Sequence, residues 1–392
     1  MYQLTLDMYQ SAALGAVVLA VGILLLKRSS LLRRICIPSA VVGGLLFSVV
    51  MLFLYKGDIL EITFDETLKD ITMRVFFCSI GFMASMTMLR RGGRVLAVLF
   101  VMMIFLVVMQ NTIGVSVASL FGLDPKYGLA MGSISLSGGH GTAAAYGEIL
   151  VKDYGLIGGD VVAIASATFG LAISSLIGAP LGRRLIEKKG LNSEEGDDIF
   201  PLTAEKHIDS THFLWALILI MVSLGLGTLV NSLFQEMNVV LPQYLGSMIV
   251  AVVVRNVADL LGYQTPEKEI DILGWLCLCL FLSMALMSMK LWQLEDLALT
   301  MIVTLLIQTL ALAVFAYILV FRVTGKNYES AMLSSGVMGF GMGAIPNAVA
   351  NLQALMDRFG PSHMAYFIVP VVGGVFLDLI NVGILAVLFN IL

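Results

Sequence analysis

Residues 131–142 read MGSISLSGGHGT and place three glycines within four positions in the middle of an otherwise apolar chain. Glycine costs about 1 kcal/mol relative to alanine inside a helix and readily adopts positive φ, so this run interrupts any helix that enters it. A second run, residues 336–347, reads GVMGFGMGAIPN and has the same character. We call residues 131–142 the first tip and residues 336–347 the second tip. Each tip predicts a helix that breaks halfway along its length.

The composition around the tips is that of a membrane protein. The chain has 392 residues, of which 59% are hydrophobic and 13% charged, and this charged share is about half that of a soluble domain. A water-soluble enzyme is therefore excluded, and an all-α polytopic membrane protein is predicted. The net charge of −4 is spread along the chain, without the basic patch that nucleic-acid binding requires.

Hydropathy predicts ten transmembrane helices when it is averaged over windows of about 19 residues. Their bounds are 8–26, 37–55, 70–89, 95–121, 161–186, 213–234, 240–261, 271–289, 297–321 and 363–391. The tips lie in two further segments, 126–150 and 328–352. Each of these is long enough to cross a bilayer, or to enter it and return as a re-entrant hairpin.

The positions of the basic residues favour re-entrant hairpins. With the N-terminus outside and both hairpins returning to their own side, 17 of the 23 Lys and Arg residues lie on the inner face. With both segments crossing, only 10 do. Cytoplasmic loops carry the excess of Lys and Arg, so the first arrangement is favoured, and it places both termini on the outer side.

An internal repeat relates the two hairpins. At an offset of 201 residues, Met83 falls on Met284, and the same register aligns Tyr127, Ser133 and Gly138 with Tyr328, Ser334 and Gly339. Five spans plus a hairpin make an odd number of crossings, so the halves have inverted topology, as in many secondary transporters. The predicted domains are a first repeat at 1–188, a cytoplasmic linker at 189–211 and a second repeat at 212–392.

The tips are the candidate substrate site. The N–H groups at the start of a half-helix can hold an anion, and free carbonyl groups can hold sodium. The expected substrate-binding residues are Ser135, Ser137, Gly138, Gly139, His140, Gly141, Thr142, Gly341, Gly343, Ala344, Pro346 and Asn347. Close helix packing through small residues is the alternative interpretation of the glycines, and a structural cap is the first interpretation of His140.

Asp378 lies deep in the last predicted span, where a carboxylate costs about 2.5 to 3.5 kcal/mol on insertion scales. Asn381 follows three residues later on the same helix face. The expected sodium ligands are Asp378, Asn381, Ser137 and Gly339, with no transition metal and no cofactor. A proton site, or a protonated Asp378 bonded across helices, is an alternative. Weaker candidates, for which interhelical hydrogen bonding is an equal interpretation, are Gln110, Asn111, Ser166 and Thr168.

Several strings resemble the bacterial sodium/glutamate symporter family. They are SGGHGT at 137–142, GFGMGAIP at 339–346, RFGPSHMA at 358–365, MQN at 109–111 and FLD at 376–378. The resemblance implies Na⁺-coupled uptake of L-glutamate across the bacterial inner membrane, an elevator-type motion and a homodimer. One residue departs from the family's pattern: Ile345 stands where threonine is expected, which puts the choice or affinity of the ligand in question.

Three other functions remain as alternatives. The first is a Na⁺- or H⁺-coupled carrier of another dicarboxylate or a hydroxycarboxylate. The second is an intramembrane hydrolase that uses Ser137 with His140 and Asp378. The third is a passive channel, although a channel requires rings of like groups along a continuous pore.

Overall fold

The computed structural model of the chain describes residues 1–29, 38–86, 93–193, 210–236 and 244–392. Most of these residues are helical. The predicted linker, 189–211, lies mainly in residues 194–209, which are outside the described residues.

The helices follow the order of the predicted segments. In the first half they are α1 Met8–Arg28, α2 Ser39–Lys56, α3 Thr67–Met83, α4 Gly93–Leu120, α5 Pro125–Ala130, α6 Gly139–Lys152 and α7 Gly159–Lys189. In the second half they are α8 Ser210–Glu236, α9 Leu245–Leu261, α10 Glu267–Met287, α11 Ala298–Val314, α12 Phe321–Val323, α13 Tyr328–Phe340, α14 Ile345–Phe359, α15 His363–Val371 and α16 Leu377–Ile391. A 3₁₀ helix, Leu291–Leu297, precedes α11, and π-helical turns at Phe315–Val320 and Val372–Phe376 join α11 to α12 and α15 to α16.

Eight helices in the described part of the chain are long and apolar enough to cross a membrane. The prediction of an α-helical multi-pass membrane protein is therefore confirmed. The predicted spans 70–89 and 240–261 correspond to α3 and α9, which have 17 residues each, about 26 Å at 1.5 Å per residue. Each of these two helices adjoins residues outside the description, 87–92 and 237–243. The count of ten spans thus stays a prediction.

A small parallel sheet was not predicted from the sequence. Strand β1, Tyr2–Thr5, precedes α1, and strand β2, Leu60–Thr63, follows α2; Tyr2 pairs with Leu60 and Thr5 with Thr63. Strands of four residues carry too short an alternation of polar and apolar residues to be recognised among apolar helices.

The chain divides into two compact units. The first consists of Met1–Met83, His140–Ala165 and Ser210–Leu299, and the second of Ala84–Gly139, Ser166–Asp209 and Thr300–Leu392. The first unit thus contains the first three long helices of each predicted repeat, α1 to α3 and α8 to α10. The second unit contains α4 and α11, both tips except residues 140–142, and most of α7. Most matching parts of the two sequence halves therefore lie in the same unit; the exception is the second arm of each hairpin, since α6 belongs to the first unit and α14 to the second.

Glycine contacts of the same kind occur twice in the first unit. Gly22 of α1 crosses α2 at Gly43, where a Cβ atom on Gly22 would lie 2.9 Å from the Gly43 nitrogen. In the second half, Gly227 of α8 crosses α9 at Gly246, and a Cβ on Gly246 would lie 2.2 Å from the Gly227 carbonyl oxygen. Only residues without a side chain permit helices to approach this closely. Both crossings pair corresponding helices of the predicted repeats.

The second unit has a large apolar core. Helix α4 contributes Leu99, Met103 and Leu106, which are buried with Val337 and Phe340 of α13. This core surrounds the segments that carry the tips, so the polar groups of the tips are held in an apolar setting.

Candidate functional site

The first tip is less helical than expected. Asp124 caps α5 by accepting a 2.8 Å hydrogen bond from the Lys126 N–H, but α5 ends at Ala130 and no regular helix covers residues 131–138. The Ser135 hydroxyl donates to the Ala130 carbonyl, five residues back. Serine hydroxyls offer the backbone alternatives to helical bonds, which accounts for a first arm, α5, of only six residues. Gly139 then adopts φ +62° at the start of α6.

Two asparagines from different helices hold Ser133 of the first tip. Asn111 Oδ1 accepts hydrogen bonds from the Ser133 hydroxyl at 2.9 Å and from the Ser133 N–H at 3.2 Å. Asn381 Nδ2 donates to the Ser133 carbonyl oxygen at 3.0 Å. Both asparagines are buried, and Asn111 Nδ2 and Asn381 Oδ1 have no partner among the described residues. One buried donor and one buried acceptor at this tip are thus available to a ligand.

Gln110 connects the first tip with the second. The Ser137 hydroxyl donates to Gln110 Oε1 at 2.6 Å, and Gln110 Nε2 donates to the Gly341 carbonyl oxygen at 2.7 Å. The backbone carbonyl of Gln110 accepts a 2.7 Å hydrogen bond from Gln308 Nε2. The tips also approach each other directly, because a Cβ atom on Gly139 would lie 3.4 Å from the Gly343 carbonyl oxygen.

The second tip is a helical hairpin within one unit. Asn327 caps α13 by accepting a hydrogen bond from the Ser330 N–H at 2.9 Å. Pro346 lies in the first turn of α14, as predicted from its missing N–H. Asn347 Nδ2 lies 2.7 Å from the Leu171 carbonyl oxygen and within 2.9 Å of the Ser174 and Ser175 hydroxyls. Its Oδ1 is buried without a partner among the described residues.

Small residues at every fourth position of α7 receive this hairpin. They are Gly170, Ser174, Gly178 and Gly182. A Cβ on Gly170 would lie 2.2 Å from the Met342 carbonyl oxygen, and a Cβ on Gly343 would lie 2.2 Å from Ser174 Oγ. A spacing of four keeps residues on one face of a helix. The face therefore forms a groove for the second tip and both of its arms.

The remaining glycines of the second tip pack closely as well. A Cβ on Gly339 would lie 2.4 Å from Ala348 Cα, so this residue lets α13 and α14 approach each other. Ala344 is the N-cap residue of α14 in an extended conformation. The side chain of Ile345 packs against Gly374 in the π-helical turn before α16, where a Cβ would lie 2.6 Å from Ile345 Cδ1. For these residues the structure shows a packing role, which is the alternative interpretation of the glycines.

Three predicted residues belong to the first compact unit: His140, Gly141 and Thr142. All three are buried, and a Cβ on Gly141 would lie 2.9 Å from the ring of Phe76. Their helix, α6, ends in an ionic cluster formed by Glu66, Lys69, Glu148 and Lys152. Lys69 lies 2.9 Å from Glu66 and 3.1 Å from Glu148, and Lys152 pairs with both carboxylates. The cluster attaches α6 to the start of α3.

Asp378 is half-buried in α16, one helical turn before Asn381 and directly after a π-helical turn. Within the described residues it has neither a hydrogen-bond partner nor an ion-pair partner. π-helical turns inside α-helices occur frequently at functional sites, and Pro370 removes a further backbone donor two residues before the turn begins. The carboxylate is thus available to a ligand on the helix face that reaches Ser133 through Asn381.

Helix α4 contributes more contacts to the tips than its sequence indicates. Gln110 and Asn111 ranked as weaker candidates, although they bond Ser137, Gly341 and Ser133. Ser133 and Gln308 were not candidates at all. The repeat contains a signal for Gln308, because it follows Gln110 by 198 residues, close to the offset of 201. Its Oε1 is buried and has no partner in the described part of the chain.

Among the described residues of the second unit, the buried amide oxygens of Gln308, Asn347 and Asn381 have no partner. The Asp378 carboxylate lies three residues before Asn381. Oxygen atoms of this kind suit a hard cation such as sodium. The first tip also presents the unpaired Asn111 N–H donor, which suits a carboxylate.

Known proteins match almost the whole chain. Residues 4–361 match the family described as sodium/glutamate symporter. The protein of that name from Escherichia coli (strain K12) is 41% identical over 383 residues, which cover 96% of each chain. The protein of that name from Haemophilus influenzae is 39% identical over 394 residues, which cover 98% of each chain.

Proposed function

Because the chain belongs to the sodium/glutamate symporter family, we propose that its second compact unit binds L-glutamate and Na⁺ at the two glycine-rich tips. Family membership makes the protein a multi-pass membrane transporter that couples glutamate movement to sodium. It is therefore not an enzyme, and the hydrolase with Ser137 as nucleophile is wrong. In the structure Ser137 donates its hydroxyl proton to a hydrogen bond with Gln110.

The observation that supports this site best is the joining of both tips by one buried side chain. Gln110 bonds Ser137 of the first tip and Gly341 of the second tip within the same compact unit. Irregular backbone in a membrane protein is tolerated where it is buried or lines a wet cavity. Two such segments that meet around polar side chains offer both carbonyl and N–H groups to a ligand.

For sodium, the proposed ligands are the Asp378 carboxylate and Asn381 Oδ1, with Ser137 and Gly339 completing the set expected from the sequence. The unpaired state of Asn381 Oδ1 supports this assignment, because an oxygen buried without a donor is costly unless a cation or water satisfies it.

For glutamate, neutral donors are proposed to hold the carboxylates. The N-terminus of α14 at Ile345 is a positive dipole end, which favours a carboxylate nearby. Asn111 Nδ2 adds an unpaired donor beside Ser133. The remaining proposed contacts within the second unit are Ser135, Ser137, Gly138, Gly139, Gly341, Gly343, Ala344, Pro346 and Asn347.

The proposed architecture comprises ten spans, two inverted repeats and an elevator-type motion. Its support is that each compact unit contains corresponding helices from both sequence halves, and that the Gly22–Gly43 crossing recurs as Gly227–Gly246. In this proposal the second unit moves with its ligands and the first unit is the scaffold. A homodimer in the bacterial inner membrane, with both termini on the outer side, completes the proposal.

Sodium-driven uptake of labelled glutamate into proteoliposomes tests the function. Uptake above equilibrium is expected under an inward sodium gradient and not under an equal potassium gradient. The same uptake with either cation would remove sodium coupling, and equilibration without accumulation would indicate a channel. Competition by malate, citrate and aspartate tests the alternative of another dicarboxylate or hydroxycarboxylate, and inhibition stronger than by unlabelled glutamate would favour it.

The sodium site is tested by Asp378→Asn. We expect the half-saturating sodium concentration for uptake to rise about tenfold or more, since a buried contact between opposite charges is replaced by a neutral one. Glutamate affinity at saturating sodium should change much less. Asp357→Asn is the matched control, because Asp357 is exposed and its one partner among the described residues is Gln353. An unchanged sodium response in Asp378→Asn would exclude Asp378 from the site.

A further inference from the structure

Gln110 forms hydrogen bonds with two polar groups of the tips that the proposed ligands would contact. Its side chain is buried, with the residue 1% exposed. Its Oε1 accepts the single hydroxyl proton of Ser137 at 2.6 Å, and its Nε2 donates to the carbonyl oxygen of Gly341 at 2.7 Å. Ser137 and Gly341 are residues that the proposed function assigns to the ligands. In this structure they already have a partner, and it is the same side chain.

The chemistry of that partner matches a pair of ligands. A carboxylate is an acceptor only, so a glutamate oxygen at Ser137 would take the place of Gln110 Oε1. The Gly341 carbonyl oxygen lies two residues beyond the proposed sodium ligand Gly339, and a carbonyl oxygen attracts a cation. A sodium ion that also reached this oxygen would take the place of Gln110 Nε2. The carboxamide presents its acceptor end to one tip and its donor end to the other. A sodium ion beside a carboxylate presents the same polarity in the same order.

We propose that Gln110 is an internal substitute for the sodium–carboxylate pair and that both ligands must displace it together. The proposal rests on the proposed function of the tips. If glutamate alone displaced Oε1 from Ser137, Nε2 would be held at Gly341 while its oxygen lost a buried partner. If sodium alone displaced Nε2 from Gly341, Oε1 would be held at Ser137 while the amide nitrogen lost its buried partner. A buried polar group left unpaired is costly, so each ligand binds more tightly once the other is present.

This coupling is reciprocal, because a free-energy link between two sites acts equally on both affinities. One unpaired amide end corresponds to about a tenfold change in affinity. Gln110 is therefore a positioning residue that contributes about this factor to the dependence of glutamate binding on sodium.

Gln110→Leu tests the proposal, because leucine fills similar space and bonds neither tip. Glutamate Kd is measured on the purified full-length protein at low and at saturating sodium. The ratio of the two Kd values is expected to fall about tenfold relative to the unmodified protein. Thr304→Val is the matched control: it removes a buried hydrogen bond of the same unit, from the Thr304 hydroxyl to the Thr300 carbonyl oxygen, and leaves both tip contacts in place. Its ratio should stay within about twofold.

A role in packing alone would weaken glutamate binding by the same factor at every sodium concentration, and an unchanged ratio in Gln110→Leu would overturn the proposal. Gln110→Glu provides a second test if the leucine variant does not fold. The ionised carboxylate that this substitution introduces attracts sodium and repels the substrate carboxylate, so the Kd for sodium should fall while the Kd for glutamate rises. Shifts of both constants in the same direction would also overturn the proposal.

Ser137→Ala separates this inference from the proposed function. If Ser137→Ala leaves glutamate binding unchanged, the tips are not the substrate site and the proposed site fails. If Ser137→Ala weakens binding while Gln110→Leu keeps the original sodium dependence, the site stands and only the displacement of Gln110 is wrong.

Discussion

The two glycine-rich tips arise from similar sequence but are held in different ways. The second tip and both its arms lie in one compact unit. Glycines of α7 and of the tip have no side chains there, so the two backbones approach each other closely. The first tip is held by hydrogen bonds from amide side chains to Ser133 and Ser137. Its second arm, α6, belongs to the other unit. Packing thus seats one tip and polar contacts seat the other.

This difference has a consequence for motion and binding. Close-packed contacts are sensitive to one added methyl group and tolerate little sliding. Hydrogen bonds to side chains exchange partners at lower cost, because a ligand or water can replace the lost group. The first tip is therefore the better placed of the two to rearrange when ligands bind, and the second tip is the better fixed reference.

Gly170→Val is expected to have the largest effect on stability and uptake, because it disrupts the packing of the second tip against α7. A Cβ at this position would lie 2.2 Å from the Met342 carbonyl oxygen, so the backbone of the tip must shift. Overpacking of this kind costs about 1 to 3 kcal/mol, and valine should reach or exceed the upper end. We expect a lower midpoint of thermal unfolding in detergent and loss of glutamate uptake.

Gly383→Ala is the control for that variant. Gly383 lies in α16 of the same unit, and a Cβ there would have open space within 4 Å. Alanine is favoured over glycine in a helix by up to about 1 kcal/mol, so this variant should be as stable as the original protein or slightly more so. Equal losses in both variants would mean that the α7 groove does not seat the tip.

A smaller effect is expected at the first tip from Ser133→Ala. The variant keeps the Ser133 backbone bonds but removes the hydroxyl that donates to Asn111 Oδ1, at a cost of about 1 to 2 kcal/mol. The matched control is Ser334→Ala, at the position 201 residues later. Ser334 is equally buried but donates to the Ser330 carbonyl oxygen of its own helix. Thermal unfolding of the two variants is compared, and a larger loss in Ser334→Ala would contradict the difference between the tips.

The sequence predicted the broad features of the molecule well, because they depend on local composition. Apolar runs predicted an α-helical multi-pass membrane protein, which the structure confirms, while the count of ten spans stays a prediction. The break at each tip follows from its closely spaced glycines. The start of α14 at Pro346 follows from the missing proline N–H. The family resemblance predicted the transport function, and the matches to known symporters confirm it.

The sequence did not predict which contacts hold the tips. The packing of the second tip against α7 depends on a close approach between Gly170 and the backbone of Met342. Nothing in the sequence around either residue predicts that the two are in contact. The importance of Gln110 was missed for a similar reason, since a single glutamine in an apolar helix fits interhelical bonding as well as a site. The boundary between the two compact units falls after residue 139 and separates the arms of the first hairpin. The composition gives no sign of this boundary, because α6 is as apolar and as rich in small residues as the tip before it.

The smallest effect concerns the ionic cluster that attaches α6 in the first unit. Burial alone would raise the pKa of Glu66, but Lys69 and Lys152 outweigh it and hold that pKa below its ordinary value. A carboxyl whose pKa is lowered by folding stabilises the protein above its unfolded pKa, about 4.3, and loses that contribution as the pH falls through the lower folded value.

We therefore expect the midpoint of thermal unfolding to fall as the pH is lowered from about 5 to about 3. Glu66→Gln should reduce this fall modestly, because Glu66 is partly exposed and solvent screens its pairs. Glu61→Gln is the control, since Glu61 makes a single, longer contact with Lys290 at 3.4 Å. The second hairpin is seated by packing, so acid should loosen the first hairpin before the second. Hydrogen exchange at about pH 3, where Glu66 is becoming protonated, compares α6 with α14, and earlier exchange in α14 would contradict this order.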